Sequence, residues 1–162
     1  MAIRISAEGF EELAEVFRQL DEKAGEVAAA ALYEGAGVVG DAYTRAISGI
    51  STEPFRYATG GKKRLASPEE KAALTGKSGI AKFRKTLDTV DTVIGISGAA
   101  GYADVAGKPK AVRLIARSIN SGTSFMHKQP VFRRAASQSQ GAAKGAVVAK
   151  AEEMLNEIIN KA

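Results

Sequence analysis

The chain has 162 residues, of which 45% are hydrophobic and 25% charged, as in one globular domain rather than a disordered tail. It has no cysteine and no stretch of the roughly 18 apolar residues that a membrane span requires, which excludes disulfides, thiolate chemistry and a transmembrane helix. The N-terminus lacks a secretory signal pattern, so we expect a soluble, cytoplasmic protein without membrane contact. Aromatic residues make up only 6%, so the core is thin and oligomerisation is expected.

The net charge of +5 is unevenly distributed along the chain. Residues 1–60 carry 5 basic and 10 acidic groups, residues 61–150 carry 17 and 5, and residues 151–162 carry 1 and 3. A basic middle between acidic ends is compatible with three alternatives: a polyanion-binding surface, charge pairing between adjacent copies, or a solvated surface.

The N-terminal part predicts a short strand at 3–6 and then one long helix to about residue 47. The apolar positions recur at helical spacing, as Phe10, Leu13, Phe17, Leu20, Ala24, Val27 and Ala31, and then Val38, Val39, Ala42, Tyr43, Ala46 and Ile47. Gly35, Gly37 and Gly40 interrupt this helix, and they indicate either the close approach of another backbone or a kink.

The stretch 48–78 is polar and irregular, and we predict an extended loop or arm that lies on a neighbouring subunit. Within it, Ser67 and Pro68 are typical of a helix N-cap and first position, so a helix of one or two turns begins there.

The remaining elements complete an α+β prediction. The β-branched run 86–97 predicts a strand with a partner at 81–86, and 111–120 predicts a short helix that Gly122 terminates. A final helix follows Pro130, and its predicted buried stripe is Val147, Ala151, Met154, Leu155 and Ile158. The expected fold is a single domain, 1–162, in which long N-terminal and C-terminal helices pack on a small antiparallel β-sheet.

No motif for catalysis, a cofactor or a metal emerges. Gly76-Lys77-Ser78 is only the end of a phosphate-binding loop, since Lys71 stands where the first glycine belongs. His127 is the only histidine and has no accompanying nucleophile pattern, so a hydrolase is a distant alternative. Basic clusters at 62–64, 82–85 and 108–117 leave open a non-specific DNA-contacting module, although no nucleic-acid readout motif accompanies them.

The order of the elements over nearly the whole chain, and above all the stretch 115–135, resembles the phage tail-component family of lambdoid phages, the gene-product-ten-like neck or tail-completion proteins. The similar features are an apolar helix at 115–119, the turn Gly122-Thr123-Ser124, Met126, the pair Gln129-Pro130, Phe132, and Arg134-Ala135 at the start of the last helix. Two departures are Val131 between the proline and the phenylalanine, and Ala135 where the family commonly has a second proline.

The resemblance implies a non-enzymatic virion protein that acts in several copies, commonly a ring, where the head connector meets the tail. Its partners would be further copies and other neck, connector and tail proteins, with transient contact to passing DNA, and it would assemble in the host cytoplasm. Acidic and basic surfaces of successive copies would set the order of the ring. The candidate assembly residues are Gly122, Thr123, Phe125, Met126, Pro130, Phe132, Arg133, Arg134, Lys62, Lys63 and Arg64. For the apolar anchors Phe125, Met126 and Phe132, the alternative is that some of them fill the subunit's own core.

Overall fold

Two long antiparallel helices organise the computed structural model, which describes residues 8–80, 84–85, 90–91, 94–103 and 107–161. Helix α1 spans Glu8–Ser48 and helix α4 spans Val131–Lys161. Val27 shares a surface pocket with Ile158 near one end, and Ala42 shares one with Ala135 near the other, so the helices run in opposite directions. The predicted long N-terminal helix and C-terminal helix are confirmed.

The apolar stripes of these helices meet along most of their shared length. Val27, Ala31 and Ala42 of α1 are buried, whereas Ala24 is exposed. On α4, Ile158 is buried, but Leu155 is exposed, so its assignment to the buried stripe is wrong. The predicted strand at 3–6 and the side chains of residues 8–20 lie outside the described part of the chain.

A cluster of buried side chains lies at the end of the helix pair where α1 ends and α4 begins. It includes helix α2 (Pro68–Leu74) and helix α3 (Val112–Ser121). Its buried members are Ile47, Ile50, Ala66, Leu74, Ala100, Val112, Ile115, Ala116, Ile119, Met126 and Phe132. The side-chain amide of Gln129 stabilises this end, because it accepts from the backbone N–H of Ser51 and donates to its carbonyl, both at 2.9 Å. The core of the subunit therefore lies at the C-terminal end of α1.

Three short antiparallel strand pairs complete the α+β fold within the described residues. Strand β1 (Ser78–Ile80) pairs with β4 (Ile94–Ile96), β2 (Arg84–Lys85) with β3 (Val90–Asp91), and β5 (Ala99–Ala103) with β6 (Pro109–Ala111). The predicted strand at 86–97 is confirmed at β3 and β4. Its predicted partner at 81–86 is confirmed at β2, and β1, which precedes that range, pairs with β4. Within the described ranges, no helix combines the length and apolar character needed to span a membrane.

The segment 48–78, predicted as an extended loop or arm, is anchored on its own subunit at Ile50 and at 64–74, whereas 54–63 is exposed throughout. Glu53 donates its backbone N–H to the carbonyl of Ala66 at 3.0 Å, and Ala66 and Leu74 are fully buried. Helix α2 begins as predicted, with Ser67 as N-cap and Pro68 in the first turn. A few apolar side chains therefore suffice to anchor the segment, and its exposed part, 54–63, stays a candidate for contact with a neighbouring subunit.

Gly35 allows a close approach of the two long helices. A Cβ atom there would meet the Val147 side chain and lie 3.0 Å from the carbonyl oxygen of Ala143, whereas one at Gly37 or Gly40 would meet nothing within 4 Å. The prediction that a glycine permits close approach of another backbone is therefore confirmed at Gly35.

We expect Gly35→Ala to destabilise the protein by about 1–3 kcal/mol, because the added methyl group overpacks the helix interface. The matched variant Gly37→Ala is expected to be neutral or to stabilise by up to about 1 kcal/mol, from better helix propensity alone. Urea unfolding of both variants measures this. Equal effects at the two positions would contradict the packing account.

Candidate functional site

An open cavity of about 700 Å³ lies at the core end of the described part of the molecule. We call it the aromatic groove. Its lining comes from the loop before α2, from α2, from strands β5 and β6, and from the loop between α3 and α4. The lining residues are Phe55, Arg56, Tyr57, Ala58, Arg64, Ser67, Glu69, Glu70, Tyr102, Lys110 and Phe125.

Three aromatic side chains at this groove remain exposed to solvent. Phe55 is 55% exposed, Tyr57 81% and Phe125 45%. Phe55 and Tyr57 stack edge to face with their centroids 5.3 Å apart, which orients them without covering them. In a chain with so little aromatic content, a cluster of exposed rings at one place is typical of a binding surface.

The loop that carries Phe55 and Tyr57 is held at both sides. It turns at Gly60 and Gly61, both at positive φ, a conformation that favours glycine. The chain then returns to the core at Arg64, whose backbone N–H donates to the carbonyl of Phe125 at 2.9 Å. The N–H of His127 donates back to the carbonyl of Arg64 at 2.8 Å, so the two loops form one backbone-linked unit.

A buried ion pair forms the floor of the groove. The guanidinium of Arg64 donates to both carboxylate oxygens of Glu70 at 2.7 Å, and also to the carbonyl of Leu65 at 2.8 Å. Its Cζ lies 4.9 Å from the centroid of the Phe55 ring. The backbone N–H of Ser67 donates to Glu70 at 2.8 Å and completes a capping box at the start of α2. Arg64 thus joins the loop, the aromatic rim and α2.

The surroundings shift the ionisation of the groups in the floor. Burial opposes ionisation of Glu70, but the hydrogen bonds from Arg64 and Ser67 outweigh it and hold the pKa of the Glu70 carboxyl below its usual value. The hydrogen bond to Glu70 raises the pKa of Arg64. Burial and the charge of Glu70 raise the pKa of Tyr102, whose buried hydroxyl makes no hydrogen bond with any described residue. The ion pair therefore stays charged at neutral pH.

The predicted site residues divide into three groups by burial. Lys62, Lys63, Phe125, Arg133 and Arg134 are exposed, Gly122, Thr123 and Pro130 are half-buried, and Arg64, Met126 and Phe132 are buried. The prediction of Arg64 as a surface cation is thus corrected, because Glu70 neutralises it inside the fold. Met126 and Phe132 fill the subunit's own core, which is the alternative that the sequence left open for the apolar anchors. Only Phe125 and Arg64 of the predicted set reach the groove.

Sequence reasoning missed Phe55, Tyr57, Glu70 and Tyr102 as members of one surface. Two signals in the sequence pointed to them. Ser67 and Glu70 have the spacing of a capping box, and Phe55 and Tyr57 are a pair of aromatic residues in an otherwise polar loop. In the described part of the chain, no three His, Cys, Asp or Glu side chains lie together in a way that would hold a metal ion. Comparison of the chain with protein-family models, curated proteins and solved structures gave no match.

Proposed function

We propose that the protein is a structural, non-enzymatic component of a tailed-phage or prophage virion, which acts as an oligomeric ring in the neck or at the tail end. The observation that carries this proposal is the cluster of Phe55, Tyr57 and Phe125, exposed around one groove while the subunit core is small. Such a surface is costly for an isolated monomer and becomes favourable when another protein chain covers it.

Two further features support an assembly role. The stretch that resembles the phage tail-component family builds the junction of α3 and α4, where Gly122, at φ 74°, ends the helix and Thr123 accepts from the backbone N–H of Met126 at 3.0 Å. This junction places Phe125 on the groove and Met126 in the core. The opposite charges of the chain's segments would orient successive copies.

The competing function is non-specific DNA contact by the basic middle of the chain. Lys62, Lys63, Arg113 and Arg117 are exposed, but the burial of Arg64 removes one cation from the first cluster. Contact with DNA passing through a ring is compatible with the assembly role, whereas DNA binding by a monomer is a different function.

Sedimentation velocity and negative-stain electron microscopy test the proposal on the purified full chain. We expect a discrete oligomer at micromolar concentration and ring-shaped particles, and we expect genes for portal, capsid and tail proteins beside its own. A protein that stays monomeric and binds duplex DNA with a steep salt dependence would overturn the proposal.

A further inference from the structure

We infer that the aromatic groove of one copy receives the acidic end of the α1–α4 helix pair of the next copy. This inference rests on the proposed oligomeric role and specifies which two surfaces meet. It concerns a contact between unlike surfaces of identical chains, of the kind that closes into a ring or continues as a filament.

The groove end of the molecule is strongly basic. The described segments 53–71 and 107–134 contain twelve Lys and Arg residues against three Glu residues. Some of these charges are used inside the subunit: Arg64 pairs with Glu70, and Lys71 donates to the carbonyls of Ser48 and Ile50 at the end of α1. Lys62 and Lys63, beside the groove loop, are exposed. Arg56, in the groove lining, also pairs with Glu53 at 3.1 Å, so the surplus of positive charge lies beside the groove, at Lys62 and Lys63, rather than in its lining.

The opposite end of the helix pair has the complementary character. Residues 21–26 contain three carboxylates against one cation, and residues 152–161 contain three against one. On α4 this end also exposes Leu155 by 37% and Ile159 by 52%. These two residues are four positions apart, so they lie on the same side of the helix, and Val148, also exposed, extends the stripe toward the middle of α4.

The two surfaces cannot meet within one subunit. The groove lies near Ser48, the last residue of α1, and the acidic stretch 21–26 lies about 30 Å away along the helix axis. A second copy can bring them together. Leu155 and Ile159 would then cover the exposed rings, and the carboxylates beside them would face Lys62 and Lys63. Burial of the apolar side chains would stabilise the contact, and the charge pairing would set the relative orientation of the two copies.

Cysteine cross-linking tests this contact directly, because the native chain contains no cysteine. Protein with Tyr57→Cys is mixed with protein carrying Ile159→Cys and mildly oxidised, and we expect a disulfide-linked heterodimer band as the main product. The matched control is Ala142→Cys, an exposed position in the middle of α4, which should give no such band with Tyr57→Cys. Cross-linking of Tyr57→Cys only to itself would overturn the inference in favour of a two-fold dimer.

Charge reversal provides a second, independent readout. The variant Lys62→Glu/Lys63→Glu should weaken self-association by about tenfold in sedimentation equilibrium, because it places like charges opposite each other. Adding Glu152→Lys/Glu153→Lys to the same chain should restore most of the affinity. Circular dichroism of each variant should match the parent. If the wild-type protein is oligomeric but the cross-link does not form and charge reversal does not weaken the oligomer, this inference is overturned and the proposed function is unaffected. A parent that is monomeric overturns both.

Discussion

Replacing Glu70 with glutamine is expected to destabilise the protein by about 3–5 kcal/mol, since the change leaves Arg64 as a buried cation without its counter-charge. This is a large part of the roughly 5–15 kcal/mol that holds a typical domain together. Because Arg64 also contacts Phe55, we expect the groove loop to loosen before the helices unfold. Urea unfolding measures the loss of stability, and amide hydrogen exchange locates it.

Two variants serve as controls for the buried pair. Glu69→Gln changes an exposed carboxylate one residue away and should leave the free energy of unfolding nearly unchanged. The double variant Arg64→Met/Glu70→Leu removes both charges and should recover much of the loss, since an apolar pair avoids the desolvation cost. If Glu70→Gln were as stable as Glu69→Gln, the ion pair would not be a determinant of the fold.

The same pair predicts how stability depends on pH. Because the pKa of Glu70 is lower in the folded protein than its unfolded value of about 4.3, its contribution is complete above that pH and is lost as pH falls through the folded pKa. The stability difference between the wild type and Glu70→Gln should therefore be constant from about pH 6 to 8 and shrink below about pH 4. A difference that grows on acidification would contradict the assignment.

Replacing Met126 with alanine is expected to cost about 2–5 kcal/mol, because the side chain is only 1% exposed and fills the cluster between α3 and the groove loop. Arg64 lies in a backbone bridge with Met126, so the cavity would also disturb the ion pair. Thermal unfolding followed by circular dichroism measures the loss.

The adjacent residue offers a matched comparison. Phe125 is 45% exposed, so Phe125→Ala should change the free energy of unfolding by less than about 1 kcal/mol and instead weaken self-association. Two neighbouring truncations thus separate folding from assembly. A folded Phe125→Ala protein that assembles like the wild type would remove this side chain from the proposed interface.

Features that depend on nearby residues were predictable from the sequence. The end of α1, the N-cap at Ser67 and the termination of α3 at Gly122 all follow from local rules of helix spacing and capping. The α+β class followed from the order of these elements. Periodicity predicted the face of α1 at Val27, Ala31 and Ala42, because a stripe at helical spacing must be buried somewhere.

Helical periodicity does not predict which residue of another segment each side chain contacts. Arg64 and Lys63 are neighbours in one basic run, yet only Arg64 lies within 2.7 Å of Glu70 and is buried. Phe125 and Met126 are adjacent apolar residues, and the backbone bridge to Arg64 turns one outward and the other inward. Leu155 fits the helical stripe but stays exposed.

The sequence by itself thus determined the helices, their caps and the segregation of charge, because these depend on residues within a few positions of each other. Only the tertiary structure decided which cations are neutralised, which apolar residues remain uncovered, and that Phe55, Tyr102 and Phe125 line one groove. The physical reason is that burial and ion pairing are set by distances between segments far apart in the chain, such as 53–70 and 102–126, and no local pattern encodes those distances.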